Sequence, residues 1–319
     1  MISSQRGIAL LIVLWVMTIL MATVLSFTLM TRAESYSTLA FEDGMERQFL
    51  AEAGIERGIA EIFYRSVNGA QMAILAGSGA WKTDGTPYHG RIGNGQYTVR
   101  LLDESGKISL NGLTDASSLM LRNLLINLGV AADAADGIAD SILDWKDADD
   151  LHRLNGAEND YYQSLARPYR ARNANFEALE ELLLVKGLTP EILYGADGKK
   201  GLLDFVSIYG KTNRINLNAA PREVLTALPG SSAMIADQII ALREATEIKS
   251  TAEILNIIGG ANAPMAAYIA GQSNASVICS IEAVGYKDLE KRGYAIRATV
   301  ALDGLNRHRY LNYRSPAES

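Results

Sequence analysis

Residues Ile8 to Met30 form 23 consecutive positions without a charged side chain in a chain of 319 residues. At about 1.5 Å per residue, a helix over this run is roughly 35 Å long, enough to cross the hydrocarbon core of a bilayer. Arg6 precedes the run, and Arg32 and Glu34 follow it. A short basic segment before a membrane span favours a cytoplasmic N-terminus, which puts everything after Met30 on the far side. The run does not read as an ordinary secretory signal. It is too long for one, and no Ala-x-Ala cleavage pattern follows it.

Helical character is expected to continue beyond the membrane. Met45, Phe49, Ile55, Ile59, Ile62 and Phe63 recur at spacings near three and four, with Glu52, Glu56, Arg57 and Glu61 between them. A single helix from about Ile8 to Tyr64 is roughly 85 Å long.

Gln5-Arg6-Gly7 leads directly into the apolar residues Ile8 to Trp15. This resembles the class III leader of type IV pilin-like proteins, as Ala51-Glu52-Ala53-Gly54-Ile55-Glu56 resembles their spine sequence. The resemblance implies that residues 1–7 are a leader removed by prepilin peptidase between Gly7 and Ile8. It also implies N-methylation of Ile8 and retention of the apolar helix. Glycine suits such a site because it lets the chain approach a peptidase in extended form. Most pilins carry a glutamate at the fifth mature position, and this chain has Ile12 there. Within the family that absence resembles the minor pseudopilin called subunit K of type II secretion systems, where it marks a tip subunit. A plain, uncut signal anchor is the other reading of the same segment.

Past Tyr64 the sequence is Gly-rich and polar through Asn94. Gln96 to Asp103 then alternates as a strand, as do Val277 to Val284, Tyr294 to Leu302 and Arg309 to Tyr313. The fold class expected is α+β. The long N-terminal helix (8–64, membrane-spanning over 8–30) packs on one antiparallel sheet built from residues 65–111 and 276–319. A helical insertion occupies 112–275.

The insertion is internally repeated, with units at 112–208 and 214–275. Lys107-Ile108-Ser109-Leu110-Asn111 is echoed by Arg214-Ile215-Asn216-Leu217-Asn218. Ala139-Asp140-Ser141-Ile142-Leu143 is echoed by Ala236-Asp237-Gln238-Ile239-Ile240, and the words starting at Phe176 and Thr251 also correspond. The offset is 107 residues at the first word and 75 at the last, so the first copy carries an extra segment of about 30 residues, roughly Lys146 to Asn173. Helix starts are expected at Thr114 or Asp115 and at Pro221, which suits a first helical turn.

Ile215 to Arg243 resembles helix-hairpin-helix domains of DNA-uptake proteins, but the hairpin Gly230-Ser231-Ser232 lacks the second glycine that lets backbone N–H groups reach a phosphate. Four basic and five acidic residues between Arg214 and Ala275 leave no surplus positive charge to release counterions. Nucleic acid is therefore not an expected partner, and the insertion reads as a compact bundle resembling a sterile alpha motif, as subunit K carries.

Acidity is concentrated. Nine acids between Asp133 and Asp160 face only Lys146 and Arg153. The stretch from Asp144 through Tyr162 resembles the corresponding part of subunit K, a family that binds calcium in this domain. That resemblance makes Asp147, Asp149, Asp150, Glu158 and Asp160 the candidate calcium ligands, if the loop folds back at Asn155-Gly156. Calcium takes six to eight oxygens, often from closely spaced carboxylates and carbonyls. The EF-hand spacing is absent. A solvated acidic loop is the alternative, and Asp133, Asp136, Asp140, Asp144 and Asp147 also fit one solvated helix face.

No enzymatic site is legible. His89, His152 and His308 show no metal-ligand spacing, no serine sits in a nucleophile elbow, and no phosphate loop is present. The lone Cys279 excludes an internal disulfide and reads as a buried apolar residue. The resemblance implies a single-pass inner-membrane protein with a periplasmic body. Its expected partners are minor pseudopilins I and J, prepilin peptidase and membrane lipid. A minor pilin of a type IV pilus and a membrane-tethered DNA-binding protein are the competing functions.

Overall fold

The computed structural model describes residues 5–72, 81–250, 252–254, 263–270, 278–287, 292–304 and 307–317. Helix α1 runs without interruption from Gln5 to Met72, 68 residues and roughly 100 Å. It is longer at both ends than the periodicity predicts. Its first half is uncovered among the described residues: every residue from Ile8 to Phe41 is exposed.

The second half of α1 lies on a sheet through Ile55, Ile59, Ile62 and Phe63 of the expected stripe, but not through Met45 and Phe49. Leu50, Ala51, Ile55, Ile59 and Ile62 are buried, while Met45 and Phe49 are exposed, the latter by 58%. Two glycines explain the difference. A Cβ on Gly54 would stand 2.9 Å from the Ala283 Cβ, and one on Gly58 would stand 2.8 Å from Ile281 Cγ2. The helix backbone therefore comes closest to the sheet where its side chains are smallest, and the bulky Phe49 is turned away.

The described strands are β1 (Asp84–Ile92), β2 (Gly95–Asp103), β3 (Ile108–Ser109), β4 (Val206–Ser207), β5 (Ile278–Tyr286), β6 (Tyr294–Leu302) and β7 (His308–Arg314). Five form one antiparallel sheet in the order β1-β2-β5-β6-β7. Alternate residues Tyr97, Val99 and Leu101, Ile281 and Ala283, and Ile296, Ala298 and Val300 point at α1 and make one core with it. Cys279 belongs to this core. Val277, expected to open β5, lies outside the described residues.

Strand β1 corrects the expectation of irregular chain from Tyr64 through Asn94. Gly85, Pro87 and Gly90 make it look like a loop, but it is an edge strand, where proline and glycine are tolerated because only one side must pair. A two-residue turn with Gly93 at φ +58° joins it to β2, pairing Ile92 with Gly95.

The chain leaves the sheet after Asp103 and returns at Cys279, and these two residues are paired neighbours in adjacent strands. The excursion is a closed one, with its own core from Ile108 to Ile269. It holds α2 (Asp115–Asn127), α3 (Ala132–Lys146), α4 (Asn159–Gln163), α5 (Pro190–Tyr194), α6 (Arg222–Ala227) and α7 (Ala233–Ala245). Helices α2 and α3 pack as one pair and α6 and α7 as another, with α2 against α6. The two copies thus share a single core.

Two details differ from the sequence reading. Lys107–Asn111 and Arg214–Asn218 do not both form strands. Ile108–Ser109 pairs in parallel with β4, and Ile215 makes only an isolated bridge to Ile269. Pro221 is the residue before α6 rather than its first turn. Thr114 caps α2 with a reciprocal Ser117 contact. The word after Phe176 forms a tight 3₁₀ segment over Leu179–Leu184, and much of the word after Thr251 lies outside the described residues.

Hydrogen bonds reveal the repeat more clearly than helix positions. Asn111 Nδ2 donates to the Phe176 carbonyl at 3.0 Å, and its Oδ1 accepts from the Phe176 N–H at 2.8 Å. Asn218 clamps Ile248 in the same way, at 2.9 and 3.0 Å. Lys146 Nζ, at the end of α3, donates to the carbonyls of Leu110 and Leu113. Arg243 Nη1, near the end of α7, donates to those of Leu217 and Ala220. Glu181 accepts from the Glu177 amide and Glu253 from the Lys249 amide. Phe176 therefore corresponds to Ile248, an offset of 72 rather than 75.

Buried Glu104 joins the two cores. It pairs with Lys107 at 2.9 Å and accepts from Ser280 Oγ on β5 at 2.6 Å. Burial pulls its carboxyl up, but Lys107, Ser207 and Ser280 together hold it below the usual range.

Candidate functional site

Two regions carry chemistry that the fold does not consume. The first is the bare half of α1. Its threonine hydroxyls fold back onto the helix: Thr18 donates to the Trp15 carbonyl at 2.8 Å, Thr28 to Val24 at 2.8 Å and Thr31 to Phe27 at 2.9 Å. A helix bonds its backbone groups internally, and threonine hydroxyls folded back on it ease its entry into lipid. Within 8–68 the helix has a mean hydropathy of 2.8 over its most apolar stretch, and that stretch is wholly uncovered. Gly7 and Ile8 sit in the first turns of this helix, and Ile12 is exposed on it.

The second region is the extra segment of the first copy. It springs from the end of α3, whose last turns are buried: Asp144 is fully enclosed, and Trp145 beside it is buried too. That burial rules out one solvated face for all five helix aspartates. Asp133, Asp136, Asp140 and Asp147 keep some access to solvent, and Asp144 has none. Trp145 stacks edge-on against buried Tyr162 at 5.1 Å, and Tyr162 packs on Tyr169 at 5.3 Å. The loop is therefore folded onto an aromatic floor.

Arg153 is the internal counter-charge. Its Nη1 lies 2.7 Å from Asp144 Oδ1 and 2.6 Å from Asp147 Oδ2, and its Nε lies 2.8 Å from Asp115 Oδ1. Gly156 crosses directly over Asp144, where any Cβ would overlap the carboxylate. The fold-back expected at Asn155-Gly156 is thus made by a glycine for a steric reason. Even with Arg153 alongside, burial pushes the Asp144 carboxyl up.

Arg153 does not satisfy the whole cluster. Glu158 is 1% exposed, and among the described residues neither carboxylate oxygen has a hydrogen-bond partner. Asp147 Oδ1 and Asn173 Oδ1 are also buried and unpartnered. Burial raises the Glu158 carboxyl to about 7, with further push from Asp144, Asp147 and Asp150 and a weak opposing pull from the Asn159 amide. Asp150 completes the group: Asn159 Nδ2 donates to its Oδ1 at 2.7 Å, and Asn173 reaches the same atom and the Asp149 carbonyl. Buried oxygens without partners are costly, and four of them in one loop form an acceptor-rich set with no protein donor.

The predicted residues divide. Asp147 and Asp150 lie near enough to Glu158 to push its carboxyl up. The Asp149 carboxylate instead caps the Leu151 amide at 2.9 Å, and exposed Asp160 pairs with His152 at 2.9 Å. Asn173 and Asn159 were not foreseen, because a side-chain amide 26 or 12 residues from Asp147 leaves no local spacing signal. Among the described residues no three acidic, histidine or cysteine side chains form a ready-made cage. The donor set is carboxylate plus amide oxygen, which fits a hard cation such as calcium and not a soft one.

Family models described as type II secretion system protein K match residues 102–196 and 215–273. The chain belongs to the type II secretion system protein K family. Its member from Pseudomonas aeruginosa is 35% identical over 169 residues, which is 50% of this chain and 48% of the relative. The one from Pectobacterium carotovorum subsp. carotovorum is 30% identical over 204 residues, 60% of each. The matched stretch thus spans about half of the first relative and 60% of the second. A chain in the crystal structure of the GspK–GspI–GspJ complex from enterotoxigenic Escherichia coli aligns with a TM-score of 0.59 at 17% identity. That alignment covers 84% of this chain and all of the other. At that identity the likeness speaks for the fold. The two family matches fall in the two copies of the insertion, and the first includes the acidic loop.

Proposed function

We propose that the chain is a minor pseudopilin of a type II secretion system, a structural subunit without catalytic activity that caps the pseudopilus and assists export across the outer membrane. The observation that carries this reading is the division of α1. Its lower half is bare and apolar, and its upper half is packed on a sheet. Such a rod is held in the inner membrane as a single pass, with the body in the periplasm, and is then available to pack among other rods once drawn out. Prepilin peptidase cuts between Gly7 and Ile8, which requires the first helical turn to open. A buried carboxylate in lipid is costly and needs a partner. With Ile12 in its place, the subunit has none to satisfy and can stand first in the filament. The wide insertion suits an end position better than a shaft. Subunits I and J are its neighbours, a reading supported by the Escherichia coli complex, in which GspK is joined with GspI and GspJ.

The acidic loop binds calcium through Asp147, Asp150 and Glu158 with Asn173. The cation supplies positive charge to oxygens that no protein donor reaches.

Mass determination of the membrane-extracted protein, with and without prepilin peptidase, tests the reading. Loss of residues 1–7 and a methyl group on Ile8 are expected. A mature chain still starting at Met1 in peptidase-competent cells would falsify it. Tight, salt-sensitive DNA binding would favour the helix-hairpin-helix alternative instead.

A further inference from the structure

The loop that the second copy lacks does something besides gathering oxygens: it holds two leucines out in solvent. Leu154 is 96% exposed and Leu151 76%. Loops commonly expose single apolar residues without consequence, but these two are pinned. The Leu151 amide donates to Asp149 Oδ1 at 2.9 Å. Arg153, between them, is held by Asp115, Asp144 and Asp147. Asn155, directly after Leu154, is fastened to Asp140 through its amide at 3.1 Å and its side chain at 3.2 Å. The backbone on both sides of Leu154 is thus tied to α3, yet its side chain packs against nothing. Ordered apolar surface costs nothing further to present to a partner.

The surroundings carry a surplus of acid: Asp149, Asp150 and Asp160 are exposed and Asp140 is half-buried, against His152 and an Arg153 already engaged by three aspartates. We infer that Leu151 and Leu154 form a docking knob for an exported protein carrying an apolar pocket rimmed by lysine or arginine. The inference rests on the secretion reading above. Charge complementarity sets the partner's rim and speeds encounter. Size decides between a permanent neighbour and a passing one. Two leucines cover far less than the roughly 1,200–2,000 Å² that stable interfaces bury, so the contact is brief and releasable. That is what cargo requires and what a fixed filament subunit does not.

The test uses the full-length protein in secreting cells. A photo-crosslinking residue replaces Leu154, and in a control replaces Met234, which is 68% exposed on α7. Exported protein should be captured from position 154 and not from 234. The double variant Leu151→Ser, Leu154→Ser should melt like the parent, still co-purify with subunits I and J, and lower export at least several-fold. Unchanged export in that variant, or capture of only filament subunits at 154, overturns the knob. A parent chain that fails to co-purify with I and J sinks the filament reading, and the knob with it.

Discussion

The two copies of the insertion are built on the same three devices: an asparagine that clamps a backbone strand, a basic residue that gathers the carbonyls of the preceding turn, and a glutamate that caps the following segment. They differ in what lies between the second and third devices. In the second copy Arg243 and Ile248 are nearly adjacent. In the first, Lys146 and Phe176 are separated by a loop that holds Glu158, the unpartnered oxygens and the exposed leucines. The second copy shows that the repeat closes without such a loop. The polar atoms in it therefore answer to something other than the needs of the fold.

The largest test of that contrast is calcium. For a site filled to one hundred times its dissociation constant, binding adds about 2.7 kcal/mol, or about 5–10 °C in melting for a body of this size. The detergent-solubilised chain should show this shift against EDTA, and Asp147→Asn with Glu158→Gln should abolish it. Arg243→Met, at the equivalent place in the second copy, should leave the shift intact. No shift at millimolar calcium removes the metal.

Next come the clamps. Asn111→Ala and Asn218→Ala should each cost about 2 kcal/mol in chemical denaturation, since two backbone partners lose their bonds at once. Losses differing by more than twofold would mean that the copies are not energetically equivalent. The corresponding cations are expected to matter less: Lys146→Met and Arg243→Met should cost about 1–2 kcal/mol each.

The smallest effect is one of pH. The Glu158 pKa is raised to about 7, so the folded state holds this proton more tightly than the unfolded chain, whose value is near 4.5. The associated stability is complete below about 4.5 and is lost as pH rises through about 7. Without calcium, stability should fall across that window, and Glu158→Gln should flatten the curve by about 1–2 kcal/mol. Calcium affinity should rise over the same range, because the ion needs the ionised carboxylate. A calcium affinity independent of pH between 5 and 8 would separate Glu158 from the site.

Much of this was legible in the chain. Periodicity and length gave the spine, and alternation gave four of the five sheet strands. Repeated short words gave the two copies, because helix and turn signals are local. Strand β1 escaped because Gly85, Pro87 and Gly90 carry turn chemistry, and only its edge position makes them acceptable. The packing face of α1 was marked by Ile55, Ile59 and Ile62, but the outward turn of Phe49 was not, because Gly54 and Gly58 set the closest approach to the sheet. Within the acidic loop the carboxylates were visible as a cluster, but Asn173 and the Arg153 counter-charge were not.

By itself the sequence determined what had to leave water: an uncharged run of 23 residues that must span lipid, and alternating and helical faces that must find cores. These follow from the composition of neighbouring residues, which no fold can alter. Only the tertiary structure decided which carboxylates would be paired and which left bare. Glu158 is enclosed with both oxygens bare, while Asp147 gives one oxygen to Arg153 and leaves the other unpartnered. Electrostatics depends on distance in space rather than along the sequence.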